Sequence, residues 1–169
     1  MNVDEGWLKG RDNKTNEIFE DLDKFPGTMA ALGEWITSHN VPTANGTTQL
    51  KYGLYSSRGT CQCGTGKYHA VGSHGFEKED VAWMVARGAT WLKIDSCCGS
   101  QNHSTAFGDY ARFRDAMNAS GTRVWFNLCG WHDWYAPPDA ALNFSGGQSL
   151  ATRTVSTATE ARGGRSRAP

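Results

Sequence analysis

Thr90-Trp91-Leu92-Lys93-Ile94-Asp95 is a short β-prone run set between two stretches with helical spacing. Before it, Phe76, Val81, Met84 and Val85 fall on one helical face up to Gly88; after it, Phe107, Tyr110, Phe113 and Met117 do the same up to Gly121. A strand with a helix on either side belongs in a parallel sheet, because parallel neighbours need a crossover where antiparallel ones need only a hairpin. Outward from this unit the pattern repeats. Arg123 to Leu128 is the next β-prone run, Tyr52 to Tyr55 the preceding one, Met29, Leu32 and Ile36 mark a helix after Pro26-Gly27, and Met1 to Asp4 opens the chain as a strand. The order β-α-β-α-β-α-β predicts an α/β fold with right-handed crossovers, doubly wound if open and a (β/α)8 barrel if closed.

Composition narrows the function. The chain has 169 residues, 17 Lys plus Arg against 17 Asp plus Glu, and 38% hydrophobic residues, which suits one globular domain. A formal charge of zero leaves no basic excess for nucleic acid, and no apolar run approaches the ~20 residues that span a bilayer, so neither partner is expected. Seven Trp, seven Phe and five Tyr can build a core and can also line a ring-binding cleft. The chain opens on Met1-Asn2-Val3-Asp4-Glu5-Gly6-Trp7, without the charged start and apolar run of a leader. Yet Asn13, Asn45, Asn102, Asn118 and Asn143 all lie in N-x-Ser/Thr sequons, where chance gives about 1.4, an excess that favours a secretory route. From Ala151 to Pro169 the composition turns to Thr, Ser, Ala, Gly and Arg with no aromatic, so residues 151–169 are expected to be a disordered or aberrant tail behind a domain over 1–150.

In parallel α/β folds chemistry gathers beyond the carboxyl ends of the strands. Here those ends read Asp4-Glu5, Tyr55-Ser56-Ser57-Arg58, Lys93-Ile94-Asp95-Ser96 and Asn127-Leu128-Cys129-Gly130-Trp131. Acids, a lysine, a tyrosine, an asparagine and a tryptophan together suit a polar, ring-binding site.

Several motifs in order resemble glycoside hydrolase family 27, the α-galactosidases and α-N-acetylgalactosaminidases. They are Asn2-Val3-Asp4-Glu5-Gly6-Trp7, Lys24-Phe25-Pro26-Gly27, Gly53-Leu54-Tyr55 with Gly59 and Cys61, Gly72-Ser73-His74-Gly75-Phe76 with Asp80, Trp91-Leu92-Lys93-Ile94-Asp95 with Cys97, Met117-Asn118-Ala119-Ser120-Gly121, and Leu128-Cys129-Gly130-Trp131. The resemblance covers about residues 1 to 135. It implies a partial (β/α)8 TIM barrel, roughly strands two to five of eight, and a retaining hydrolase using two carboxyl groups about 5–5.5 Å apart. Asp95 takes the nucleophile position. The acid/base Asp belongs to a later strand, roughly 30 residues past Cys129, where this chain has no Asp.

The same resemblance assigns Asp4 and Glu5 to the galactose C4 and C6 hydroxyls, with Glu5 standing where the family has a second Asp. It makes Tyr55 an aromatic bounding the sugar and Lys93 a cation that keeps Asp95 ionised and can bind a sugar hydroxyl. Gly130 falls where Glu in α-galactosidases reads the C2 hydroxyl and a small residue admits an acetamido group. Trp131 can wall the sugar or fill the core. The implied substrate is a carbohydrate with terminal α-galactose, with α-N-acetylgalactosaminides or sugar binding without turnover as alternatives. No cofactor or metal is implied, a homodimer is compatible, and the location is secreted, lysosomal or vacuolar. The family disulfide falls on Cys61 and Cys97, leaving Cys63 and Cys98 for a second bridge and Cys129 unpaired. A four-thiolate zinc site from Cys61, Cys63, Cys97 and Cys98 is the competing use, though C-x-C beside C-C fits zinc spacing poorly.

Overall fold

A computed structural model describes residues 1–64 and 70–129. In chain order the elements are β1 (Asn2–Val3), β2 (Leu8–Arg11), β3 (Ile18–Glu20), α1 (Thr28–Thr37), β4 (Asn40–Thr43), β5 (Gly46–Gln49), β6 (Gly53–Ser57), α2 (Glu77–Ala86), β7 (Trp91–Asp95), α3 (His103–Ala119) and β8 (Trp125–Leu128). The expected α/β pattern is present: β1, β6, β7 and β8 form one sheet in that order, every pair parallel, with a helix between successive strands.

Helix ends follow local chemistry. Glu77, Glu79 and Asp80 occupy the first turn of α2, where carboxylates complement the helix dipole. The helix stops at Gly88, whose φ of +86° closes a Schellman turn: Gly88 N–H donates to Val85 O and Ala89 N–H to Met84 O. α3 begins at Asn102, whose side chain accepts the Thr105 N–H at 3.1 Å.

Strand alternation divides the sheet into two faces. Leu54, Leu92 and Phe126 are in register across β6, β7 and β8; with Ile94 they are buried in one core with Met29, Val81, Met84 and Phe113 from the helices. Their neighbours Tyr55, Lys93 and Asn127, also in register, turn to the other face. This face begins with Trp91 and Trp125, stacked at 5.4 Å, with Trp125 54% exposed.

Two antiparallel hairpins were not anticipated from the sequence. β2 pairs with β3 and β4 with β5. All four residues of β5, Gly-Thr-Thr-Gln, are exposed, and β4 contains Pro42, so neither carries the apolar alternation that announces a strand. The β2 hairpin nevertheless braces the fold. Arg11 makes a bidentate pair with Asp80 of α2, 2.7 and 2.6 Å, with both side chains almost fully buried, and lies 4.1 Å over the Phe76 ring. Ser73 N–H donates to Ser57 O, and a Cβ at Gly72 would stand 2.0 Å from Gly59 O. The Gly72, Ser73, Phe76, Asp80 motif thus docks α2 against the end of β6. Among the described residues no helix is long and apolar enough to cross a membrane.

Candidate active site

The carboxyl ends of the four strands converge on one polar row. Register pairs Tyr55 with Lys93 and Lys93 with Asn127, while Asp4 follows Val3, the partner of Leu54. One step further along, Ser57 pairs with Asp95. Because alternate residues share a face, Tyr55, Lys93, Asn127 and Asp95 stand together on the side opposite the helices.

Asp95 is 5% exposed. Its Oδ1 accepts the Ser96 N–H at 2.7 Å and its Oδ2 the Tyr55 hydroxyl at 3.3 Å. That hydroxyl in turn accepts Cys63 N–H at 3.2 Å, which directs its single proton at the carboxylate. Burial, with the nearby Asp95 carboxylate adding to it, pushes the Tyr55 phenol well above the ordinary range. Cys129 lies on the adjacent strand end; burial first, then Asp95, raises its thiol.

Lys93 serves a different partner from the one expected. Its Nζ lies 2.7 Å from Asp4 Oδ2 and 5.1 Å from the Tyr55 ring centroid, so its direct pair is with Asp4, and Asp95 is a more distant influence. Burial alone would raise Asp4, but the Lys93 hydrogen bond and the Glu5 N–H hold it below the usual carboxylate value. Glu5 moves the other way: burial and then the neighbouring Asp4 carboxylate raise it. Two adjacent acids with opposite shifts and an ammonium between strands make a mixed donor and acceptor surface, suited to sugar hydroxyls.

The cysteine pairing corrects the expectation. Cys61 bonds Cys98 and Cys63 bonds Cys97, with Cα separations of 5.4 and 5.2 Å, in place of Cys61 with Cys97. Cys98 has a φ of +53°, which turns it away from its neighbour, and its carbonyl accepts Thr60 N–H, bringing it beside Cys61. Cys97 stays on the Asp95 side and meets Cys63, whose backbone is held by Tyr55. The sulfurs of Cys63 and Cys97 and a carboxylate oxygen of Asp95 lie within 4.8 Å of one another. Paired as disulfides, the four sulfurs cannot act as thiolate ligands, which removes the zinc alternative.

The structure therefore gathers Asp4, Glu5, Tyr55, Lys93 and Asp95 at one sheet edge. Gly130, Trp131 and the tail 151–169 lie outside the described residues. Sequence reasoning gave no role to Arg58, which is fully buried behind Asp95; Asn127, noted among the strand ends, pairs in register with Lys93.

Comparison with known proteins agrees with this geometry. The family model described as alpha galactosidase A matches residues 1–149. The chain belongs to that family. An alpha-galactosidase of Lachancea cidri is 31% identical over 132 residues, 76% of this chain and 25% of the relative. The solved alpha-galactosidase of Saccharomyces cerevisiae with raffinose superposes with a TM-score of 0.65 at 26% identity, covering 77% of this chain and 26% of that one. Alpha-galactosidase I from Mortierella vinacea gives 0.64 at 28% identity, covering 77% and 30%. The described residues are thus part of the (β/α)8 barrel of the alpha-galactosidase family, and the chain spans about a quarter of the length of the curated relative first named.

Proposed function

We propose that this segment supplies the nucleophile and half of the sugar-binding surface of a retaining α-galactosidase acting on terminal α-galactosides. The observation that carries the reading is the arrangement of Asp95 between two donors. Its Oδ1 accepts the Ser96 N–H and its Oδ2 the Tyr55 hydroxyl, and these two donors hold the carboxylate in one orientation at the strand end. Asp95 forms a bond to the anomeric carbon as the glycosidic bond breaks; a second carboxylic acid, on a strand outside the described residues, protonates the departing oxygen. Water activated by that second group then hydrolyses the glycosyl ester and releases Asp95.

Asp4 and Lys93, locked together at 2.7 Å, offer an acceptor and a donor to vicinal hydroxyls, and Glu5 extends the acceptor edge. Tyr55 bounds the ring from below. Two disulfides next to the nucleophile fit an oxidising compartment, which supports a secreted, lysosomal or vacuolar location. Gly130, where the family's α-galactosidases use Glu, favours α-N-acetylgalactosaminides as the second reading, and Trp131 is proposed as a sugar wall. In a protein carrying this segment within a whole barrel, kcat/KM for nitrophenyl α-galactoside exceeds that for the N-acetyl analogue, and Gly130→Glu widens the difference. Equal rates on both, unchanged by Gly130→Glu, would defeat the specificity.

A further inference from the structure

We propose that Arg58 is a positioning residue that orients the Asp95 carboxylate through Ser96, an inference that rests on Asp95 being the nucleophile. The motif that resembles the family leaves position 58 unspecified, so nothing in that resemblance assigns it a role.

Arg58 directly follows β6 and its side chain is 1% exposed. Its guanidinium is used on several sides. Nη1 donates to Asp109 Oδ2 at 2.9 Å, Nη2 to Ser100 O at 2.7 Å and Nε to Ser96 Oγ at 3.3 Å. Its backbone N–H donates to Asp95 O at 2.9 Å. The flat fork has room because residue 99 is Gly; a Cβ there would stand 2.7 Å from Nη1 and 2.9 Å from Cζ.

These contacts enclose the turn from Asp95 to Ser100. Arg58 grips its first hydroxyl and its last carbonyl, and Asp109 of α3 anchors the guanidinium from behind. Ser96 is the link to chemistry. Its N–H holds Asp95 Oδ1 at 2.7 Å, while its hydroxyl lies between Arg58 Nε and the Tyr110 hydroxyl, 2.9 Å away. Arg58 thus holds the Asp95–Ser96 peptide on two sides, its backbone N–H on the Asp95 carbonyl and its Nε on the Ser96 hydroxyl, and loosening the second hold lets the N–H that Asp95 Oδ1 accepts drift from its line. A lysine at 58 would keep the charge on Asp109 but cannot reach Ser96 and Ser100 together, since it lacks the planar fork.

The test uses the full chain, with Ser96 N–H followed by nuclear magnetic resonance in wild type and in Arg58→Lys. A positioning role predicts that Ser96 N–H loses its downfield shift and exchanges at least about tenfold faster in Arg58→Lys, while the β7 amides keep their protection. An unchanged Ser96 amide in folded Arg58→Lys, or an equal loss of protection throughout the sheet, would overturn it in favour of a generally structural ion pair. If Arg58→Lys does not fold, wild type decides: a slowly exchanging Arg58 Nε–H with a nuclear Overhauser contact to Ser96 supports the role, and its absence removes it. The readout needs no turnover, so a failed assignment of Asp95 as nucleophile would be seen separately, in the labelling experiment.

Discussion

The Tyr55 hydroxyl donates to Asp95 Oδ2 across neighbouring parallel strands at 3.3 Å, and accepts Cys63 N–H at 3.2 Å on its other side. A phenol so placed is a fixed donor, and the disulfide from Cys63 to Cys97 closes the loop around it.

Tyr55→Phe keeps the ring and removes the donor. A hydrogen bond to a charged group contributes about 1.5–3 kcal/mol, so in a whole barrel kcat/KM for an α-galactoside falls roughly 10- to 150-fold with little change in fold. Steady-state kinetics beside circular dichroism check this; an unchanged kcat/KM would mean the donor is idle.

Alkaline titration gives a related outcome. Burial raises both Tyr52 and Tyr55 in the folded chain. A raised folded value means stability that is fully present below the ordinary phenol value and is lost as pH rises through the folded one. Ultraviolet absorption is therefore expected to show these two phenols ionising only together with unfolding; early, non-cooperative titration of all five tyrosines would contradict the burial.

The pair of Asp4 with Lys93 makes the opposite prediction at low pH. Asp4 is depressed in the fold, so its contribution is present above the ordinary Asp value and is lost as pH falls through the folded one. The pair is partly exposed, so Asp4→Asn costs about 1 kcal/mol or less in urea unfolding at pH 7. Its larger effect is on galactose affinity, measured by titration calorimetry in a whole barrel.

Much of this was legible in the sequence, for physical reasons. The helices and parallel strands carry apolar residues at periods of 3.6 and 2, and Asp4, Tyr55, Lys93 and Asp95 stand at strand ends where the fold puts chemistry. The hairpins were not legible because β4 and β5 bury nothing and so leave no pattern. The disulfide register was missed because it depends on the left-handed turn at Cys98, one backbone angle that neither spacing nor the family motif specifies. Arg58 was hidden for a similar reason: a charged residue at a strand end reads as solvated until its partners, Ser96, Ser100 and Asp109, are brought around it.

Arg11 and Asp80 are expected to act as a stabilising pair that ties the β2 hairpin to α2. Arg11→Met leaves a buried carboxylate without its bidentate partner and costs about 3–5 kcal/mol, whereas Arg11→Met with Asp80→Leu recovers much of the loss. Additive losses in denaturant unfolding would show that the two do not act as a pair.

The central claim, that Asp95 is the attacking carboxylate, is tested most directly by a galactose-configured mechanism-based inhibitor that traps the glycosyl ester, applied to a protein carrying this segment within a whole barrel. Peptide mapping by mass spectrometry is predicted to place the label on Asp95, with none in Asp95→Asn. A label on Asp4 or Glu5, or labelling that survives Asp95→Asn, would contradict it.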